Sequence, residues 1–276
     1  MNALLHSLAS EEWTYVVSAL LHTLWLGGLA AGGLYFMFRS NADPVARYRW
    51  CVSALLAVVV GGIVAWAVMA RRPNPHQPIP VAATPAVIAP AAGEGSVAAS
   101  PPVALPTPAT IDTSRPERWT PWLALIWLGG LVAMLVRASS LVAGAEKLRQ
   151  RSRPLANETV LRLLAEAQHK LGLARSVRVV VTEHLASPAV MGWLRPVLIL
   201  PVSMVTTMSM QNIELILLHE LAHIQRGDYL VNLCQLLAES LLFFNPAVWW
   251  ISRQIRQERE ACCDAMAVAL AGEPLQ

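Results

Sequence analysis

Three long stretches of this sequence carry no charged residue, and they limit the folds that the chain can adopt. They cover residues 14–38, 51–70 and 119–136. About 20 apolar residues in a helix cross the roughly 30 Å hydrocarbon core of a bilayer. The composition agrees, since 55% of the residues are hydrophobic and only 14% are charged, against about a quarter charged in soluble domains. The sequence therefore predicts a multi-pass α-helical membrane protein.

The positions of Lys and Arg predict the orientation of these spans. The first thirteen residues contain neither, whereas the loop after the first span contains Arg39, Arg47 and Arg49. Positive residues collect on the cytoplasmic side, which places the N-terminus outside. Three crossings then leave the rest of the chain in the cytoplasm, beginning with a basic segment from Arg137 to Arg153. Four arginines around the external loop oppose this orientation: Arg71, Arg72, Arg115 and Arg118.

Residues 71–118 form a linker by composition. They include eleven prolines and no Phe, Trp or Tyr, which disfavours hydrogen-bonded structure and predicts a disordered external segment. We therefore divide the chain into two transmembrane helices with a short cytoplasmic loop (1–70), this linker, a third transmembrane helix (119–143) and a cytoplasmic domain (144–276). The small net charge of +3 reflects residues that flank the spans, so we expect membrane lipids as partners and no direct binding of nucleic acid.

The cytoplasmic part has the pattern of a small α+β domain. Asn157 can cap a helix whose apolar residues recur at helical spacing until Gly172, where the helix should end. Val177 to Thr182 and Pro196 to Leu200 have the composition of strands. We expect the second of these strands to pair with an extended peptide substrate by edge addition.

The pentapeptide His219-Glu220-Leu221-Ala222-His223 lies in an apolar helical run that starts near Gln211. Side chains four residues apart share a helix face, so His219 and His223 can present both imidazoles to one metal ion. Glu220 points about a quarter-turn away, where it can reach a water on the metal without being a ligand. This arrangement suits metal-assisted hydrolysis by zinc. A chance occurrence on a core helix is the alternative interpretation.

A catalytic zinc ion takes three protein ligands and keeps one position open, so a third ligand must lie downstream. Three glutamates are candidates: Glu239, Glu258 and Glu260. We favour Glu260, because Asp264 lies one turn further along the same helix face, where it can orient a histidine or the glutamate. Glu239 is the second choice, since a carboxylate within the apolar run 236–244 needs an explanation.

Residues 229–252 are apolar enough to resemble a fourth span, but the metal site argues against a crossing. The two histidines precede this segment and Glu260 follows it, so a single crossing would put the ligands on opposite sides of the membrane. Asn245-Pro246 is a natural break in a helix. We therefore predict a helical hairpin, re-entrant or lying at the inner membrane surface, with Trp249 and Trp250 near the lipid headgroups.

Three further features have a packing interpretation. Gly28 and Gly32 have the spacing that lets helices approach closely, either within the bundle or in a homodimer. His22 lies within the first span, and we favour a hydrogen-bonded structural role because no charged residue is placed to pair with it. We interpret Cys262 and Cys263 as small apolar helix residues, since adjacent helical positions diverge by about 100° and rarely serve one ion.

Three motifs together resemble the signature series of the BlaR/MecR antirepressor metallopeptidases, family 56 of the metallopeptidases. They are HELAHIQRGD at residues 219–228, NPAVWW at 245–250 and EACCD at 260–264. The three spans, the external linker and Leu200-Pro201 also fit, so the resemblance covers nearly the whole chain. It implies a gluzincin-like α+β zinc metalloprotease domain in the cytoplasm, attached to a bacterial-type inner membrane.

The resemblance also implies roles for individual residues. It assigns the Zn²⁺ ligands to His219, His223 and Glu260 and the general base to Glu220. We expect Asp264 and Asp228 to orient the ligands from beside them. Members of the family cleave a transcriptional repressor, or themselves, after a signal from outside. A protein substrate of that kind is therefore implied.

We accordingly predict a membrane-embedded zinc endopeptidase of the regulatory, signal-transducing type. One alternative is a quality-control protease of the HtpX or CaaX-prenyl type, which shares two of the motifs. Another is a non-proteolytic signalling scaffold or transducer anchor with a vestigial metal site, which the intact Glu220 opposes. The sequence contains no Ser-x-x-Lys nucleophile motif, so β-lactam sensing is not implied. It ends at Gln276 without a strongly apolar last span, which we interpret as a fragment or a shortened member.

Overall fold

The fold is that of a computed structural model, which describes residues 7, 8, 10–40, 43–71, 119–192 and 195–271. Apart from Arg71, the linker predicted at 71–118 lies outside the described residues. Three long helices come first in the described part of the chain: α1 (Glu11–Ser40), α2 (Pro44–Ala70) and α3 (Thr120–Arg151). Each of the three is long and apolar enough to cross a membrane, by length and composition.

The beginnings of these helices follow from local sequence. Asp43 caps α2 by accepting hydrogen bonds from the backbone N–H groups of Val45 and Ala46, and Pro44 occupies the first turn, where its missing N–H costs nothing. Helix α3 continues past residue 143, where we predicted the third span to end, and stops only at Arg151. The basic segment after the third span is therefore a helical extension of it.

The predicted α+β part is present as a helix and a mixed sheet. Helix α4 (Glu158–Lys170) begins at Asn157, whose side chain accepts from the N–H groups of Thr159 and Val160. It ends at Lys170, and Gly172, with a φ of 62°, closes it with the two hydrogen bonds of a Schellman motif. The strands are β1 (Arg153–Pro154), β2 (Arg178–Thr182), β3 (Ala189–Met191) and β4 (Val197–Pro201), in the order β1-β2-β4-β3.

The sheet corrects one expectation from the sequence. The strand that we expected to accept a peptide by edge addition, Pro196 to Leu200, corresponds to β4, which is buried along its whole length and pairs with β2 on one side and β3 on the other. It therefore has no free edge. Strands β1 and β3 are the edge strands, and β3 is the one beside β4. Its three residues between Pro188 and Gly192 were too few for a pattern to reveal it.

Four more helices complete the described chain: α5 (Val202–Thr207), α6 (Met210–Arg226), α7 (Asp228–Leu241) and α8 (Pro246–Ala271). Helix α6 packs its apolar face against α4 and the sheet. The shared core includes Leu164, Leu198, Leu200, Leu217 and Leu221. Helices α7 and α8 pack against α2 and share a second core with it and with α1. The molecule thus places α8 between the sheet domain and the helices long enough to span a membrane.

The turn between α7 and α8 lies at Asn245-Pro246 and is held by polar contacts with the long helices. Asn245 Nδ2 donates to the backbone oxygen of Thr23 near the middle of α1 at 2.7 Å, while its Oδ1 accepts from the N–H of Ala247 at 3.0 Å. Trp127 of α3 donates through Nε1 to the oxygen of Leu241 at 2.9 Å. The bonds to Ala247 and Leu241 satisfy backbone groups that the ends of α8 and α7 would otherwise leave without partners.

Glycine in α1 makes this contact possible and provides a test of it. A Cβ added at Gly27 would lie 2.9 Å from Asn245 Nδ2 and 3.1 Å from Ala247 Cβ, whereas a Cβ at Gly28 would meet nothing within 4 Å. We expect Gly27→Ala to lower the thermal unfolding temperature of the detergent-purified protein, because overpacking costs about 1–3 kcal/mol. Gly28→Ala should leave it unchanged or raise it, since alanine favours a helix. Equal effects of the two substitutions would contradict the close contact between α1 and the turn.

Candidate metal centre

Helix α6 carries the two histidines. Ser209 caps it by accepting from the N–H of Asn212, and Gly227, with a φ of 69°, ends it. Because Leu217, Leu218 and Leu221 are buried against the sheet domain, the neighbouring face is turned toward α8. On that face the Nε2 atoms of His219 and His223 lie 3.2 Å apart.

Helix α8 brings Glu260 to the same point. Its Oε2 lies 3.4 Å from the Nε2 of His219 and 3.4 Å from the Nε2 of His223. A tetrahedral ion with bonds of about 2.0–2.1 Å to nitrogen and oxygen requires its ligand atoms to be about 3.3 Å apart. The three atoms therefore form a triangle of the size that one tetrahedral metal ion would need. They lie in one of two groups of potential metal-binding side chains in the described part of the chain.

Each member of this triangle has an orienting partner. Asp264 Oδ1 lies 2.8 Å from Nδ1 of His219, and Asp228 Oδ2 lies 2.9 Å from Nδ1 of His223. A carboxylate at Nδ1 keeps the proton on that nitrogen and leaves the Nε2 lone pair free for a cation. Arg259 Nε lies 3.4 Å from Oε1 of Glu260, the oxygen that faces away from the histidines. The structure thus brings five of the six site residues that the sequence suggested into contact with one another, and it adds Arg259. The sixth, Glu220, follows His219 on α6.

The other two glutamates that the sequence offered as a third ligand form ion pairs with arginines. Glu239 accepts from Arg256 at 2.7 Å, across the hairpin between α7 and α8, and Glu258 forms an ion pair with Arg47 at 2.6 Å. Both carboxylates are buried, and the arginines explain how apolar surroundings accommodate them. Neither lies in the group formed by the two histidines and Glu260.

Asp228 has three further neighbours that the sequence did not reveal. Tyr48 Oη donates to its Oδ1 at 3.4 Å, Arg226 Nε lies 3.4 Å from its Oδ2, and Cys263 Sγ lies 3.6 Å from the same oxygen. Tyr48 is 180 positions away in the sequence, so no local spacing could have identified it. Cys263 was interpreted as an apolar helix residue, and it is indeed buried, but its thiol also lies 3.3 Å from Nδ1 of His223.

His223, Asp228 and Cys263 form the second group of potential ligands. The guanidinium of Arg226 lies beside the Asp228 carboxylate and would repel a second cation there. We therefore interpret this group as the hydrogen-bonded support of His223.

Glu220 lies between two clefts. One, of about 210 Å³, is lined by Glu220, His223 and Glu260 together with Val190 and Gly192 around strand β3. The other, of about 470 Å³, is lined by His219, Glu220 and Asp264 and by apolar residues: Pro188, Leu215, Ile216, Ala267 and Val268. Burial raises the pKa of the Glu220 carboxyl above its usual value. A carboxylate of raised pKa beside a metal position is suited to accept and return a proton.

The charges of the triangle are strongly coupled. The two imidazoles hold the pKa of Glu260 well below its usual range, and the Glu260 carboxylate in turn raises the pKa of His219. Burial of the His223 ring lowers its pKa, but hydrogen bonding to Asp228, Cys263 and Glu260 outweighs this and raises it to about 11. In the absence of a cation the triangle therefore holds positive charge as protons, at the position where a metal ion would replace them.

The sequence of this chain matches the family model described as BlaR1 peptidase M56 over residues 7–273. The chain therefore belongs to this peptidase family of membrane proteins. It is 30% identical over 141 residues to the regulatory protein BlaR1 of Bacillus licheniformis, a stretch that covers 50% of this chain and 23% of that protein. It is 28% identical over 90 residues to the methicillin resistance mecR1 proteins of Staphylococcus aureus and Staphylococcus epidermidis, covering 33% of this chain and 15% of each of those.

These matches confirm the resemblance that the three motifs indicated. The chain spans less than a quarter of the length of the curated relatives it matches. The matched family is a peptidase family, and the relatives include a regulatory protein.

The coupled charges predict how metal binding depends on pH. Because the pKa of His223 is raised to about 11 and a metal ion needs the neutral ring, binding at pH 7.5 should release protons. Affinity for Zn²⁺ should therefore rise with pH between 6 and 8, by about tenfold per unit for each proton displaced. Calorimetry in two buffers with different ionisation enthalpies measures this release, with His169→Ala on the exposed face of α4 as the control. Binding without proton release would contradict the assignment.

Proposed function

We propose that the chain is a membrane-embedded, zinc-dependent endopeptidase of the regulatory type, with a gluzincin-like metalloprotease domain. The observation that carries the proposal is the triangle of His219 Nε2, His223 Nε2 and Glu260 Oε2, with edges of 3.2–3.4 Å. Two nitrogens and one carboxylate oxygen are a ligand set typical of catalytic zinc. His219, His223 and Glu260 would hold the ion, with Asp264, Asp228 and Arg259 fixing their orientation.

The chemistry divides between the metal and Glu220. When bound, zinc would acidify a water molecule and polarise the carbonyl of the scissile peptide bond. Glu220 follows His219 on α6 and lines both clefts, so a water between the ligands and the substrate is within its reach. Its carboxylate would take a proton from this water as the water attacks the carbonyl carbon. It would then deliver the proton to the leaving nitrogen as the peptide bond breaks.

Strand β3 provides a place for an extended substrate. It pairs with β4 on one side and has no partner strand on the other among the described residues. Pro188, just before it, lines the apolar cleft, and Val190 and Gly192 line the cleft that contains Glu260. A polypeptide paired with this edge would pass both clefts and Glu220, as a protein substrate requires. We infer that the substrate is a protein, either a transcriptional repressor or the chain itself.

Two features favour a regulatory protease over the alternatives. The family match extends over the helices long enough to span a membrane as well as the sheet domain, which favours the BlaR type over a quality-control protease. The complete ligand triangle and its orienting carboxylates oppose a vestigial site. A scaffold without activity would have no need for Glu220 beside them.

The first test separates the base from the ligands. Glu220→Gln should abolish hydrolysis of a protein substrate and leave zinc bound, because it removes the base and no ligand. Glu260→Ala should instead lower the zinc content. Metal analysis of the purified variants, with a comparison of cellular protein fragments, measures both. Glu166→Gln on the exposed face of α4 is the control, and equal zinc loss in Glu220→Gln and Glu260→Ala would contradict these roles.

The second test addresses orientation, which we propose to be N-terminus outside and sheet domain in the cytoplasm of a bacterial-type inner membrane. Single cysteines in place of Glu166 on α4 or Arg253 on α8, in a protein lacking the native four, should react with an impermeant thiol reagent only after the inner face is opened. A cysteine in place of Ser96 should react from outside. Labelling of Glu166→Cys and Arg253→Cys from opposite sides would show that residues 229–252 cross the membrane, and Glu260 could not then be a ligand.

A further inference from the structure

The first turns of α2 reach the metal centre. Two consecutive residues there, Arg47 and Tyr48, each contact a buried acid: Arg47 Nη2 lies 2.6 Å from Oε1 of Glu258, and Tyr48 Oη donates to Oδ1 of Asp228 at 3.4 Å. The side chains of these acids are only 7% and 5% exposed. In such surroundings solvent screens the contacts weakly, so they are stronger than the same contacts on a surface.

Both acids lie beside proposed ligands. Asp228 accepts from Nδ1 of His223 at 2.9 Å through Oδ2, the oxygen that Tyr48 does not contact. Glu258 precedes Glu260 by two residues on α8. Tyr48 therefore contacts the support of a proposed ligand from α6, and Arg47 holds α8 at a point two residues before its proposed ligand.

The same turn of α2 also contacts α1 and α6. The guanidinium of Arg47 lies 4.5 Å from the centre of the Phe38 ring near the end of α1, and Phe38 also contacts Trp250 of α8. The guanidinium of Arg226 lies 4.7 Å from the centre of the Tyr48 ring. A displacement or rotation of α2 would therefore move groups that contact Asp228 and Glu258.

We propose that Tyr48 is a positioning residue of the metal centre, which acts through Asp228 on His223 and couples the first pair of candidate membrane helices to the geometry of the ligands. The Arg47–Glu258 ion pair holds α2 at the position in which Tyr48 reaches Asp228. The inference rests on the proposed metal site and adds a route by which a change in the membrane helices alters it.

The test is metal affinity, which needs no substrate. The full chain is purified in detergent, and its affinity for Co²⁺ and Zn²⁺ is measured by Co²⁺ absorption and by competition with a chelator. Four variants are compared with the unmodified chain: Tyr48→Phe, Asp228→Asn, the double variant and Tyr35→Phe. Tyr35 lies on α1 and is 55% exposed, so its variant controls for the loss of a phenol hydroxyl. Phenylalanine at 48 keeps the ring under Arg226.

Tyr48→Phe should weaken metal binding three- to tenfold, roughly the range that one hydrogen bond supplies, and should shift the Co²⁺ spectrum. In the Asp228→Asn background it should have no further effect, because the two residues act in series. An unchanged affinity, an effect that persists fully in that background, or a fall explained by a lower unfolding temperature of the metal-free protein would each overturn the inference. Failure of the unmodified chain to bind either ion would instead overturn the proposed metal site, and this inference with it.

Discussion

The contact between α6 and α8 is the interaction on which the site depends. Helix α6 supplies two imidazoles and Glu220, and α8 supplies Glu260 and Asp264, so neither helix alone contains a complete site. Helix α6 is fixed by the core it shares with α4 and the sheet, which also takes in the C-terminal end of α8. The N-terminal half of α8 packs instead against α1 and α2. The relative position of the sheet domain and of helices α1 and α2 therefore sets the distances among His219, His223 and Glu260, which a metal ion would tolerate only within a few tenths of an ångström.

The need to neutralise buried acids explains why several arginines surround the site. Burying an ionised acid without a partner lowers the free energy of unfolding by several kcal/mol. Removing one partner of a buried ion pair destabilises a fold more than replacing both partners by apolar residues. Glu239, Glu258 and Asp228 are all buried, and each faces an arginine. Two of the pairs join separate helices: Arg256–Glu239 joins α8 to α7, and Arg47–Glu258 joins α2 to α8. The charges thus specify one arrangement of the helices around the ligands.

The parts of this arrangement that sequence could predict are those that depend on local spacing. Residues four apart share a helix face, so the pairing of His219 with His223 and of Glu260 with Asp264 followed from the chain itself, as did the cap at Asn157 and the break at Asn245-Pro246. Contacts between distant segments carry no such periodicity. Tyr48 with Asp228, Arg47 with Glu258 and Asn245 with Thr23 required the fold. Strand β3 was missed because its pairing with β4, rather than its composition, defines it.

The turn between α7 and α8 shows how the candidate membrane helices and the site constrain one another. Asn245 reaches the backbone near the middle of α1, and Trp127 and Trp249 donate to carbonyl oxygens of the segment around the turn. A turn with its polar groups satisfied in this way can lie at the depth of the hydrocarbon core, where unpaired backbone groups are excluded. That favours the re-entrant form of the hairpin over one lying on the inner surface. From this tip α8 runs back past Glu239 and Arg47 to Glu260, so the positions of the turn and of the Glu260 carboxylate are linked by one helix.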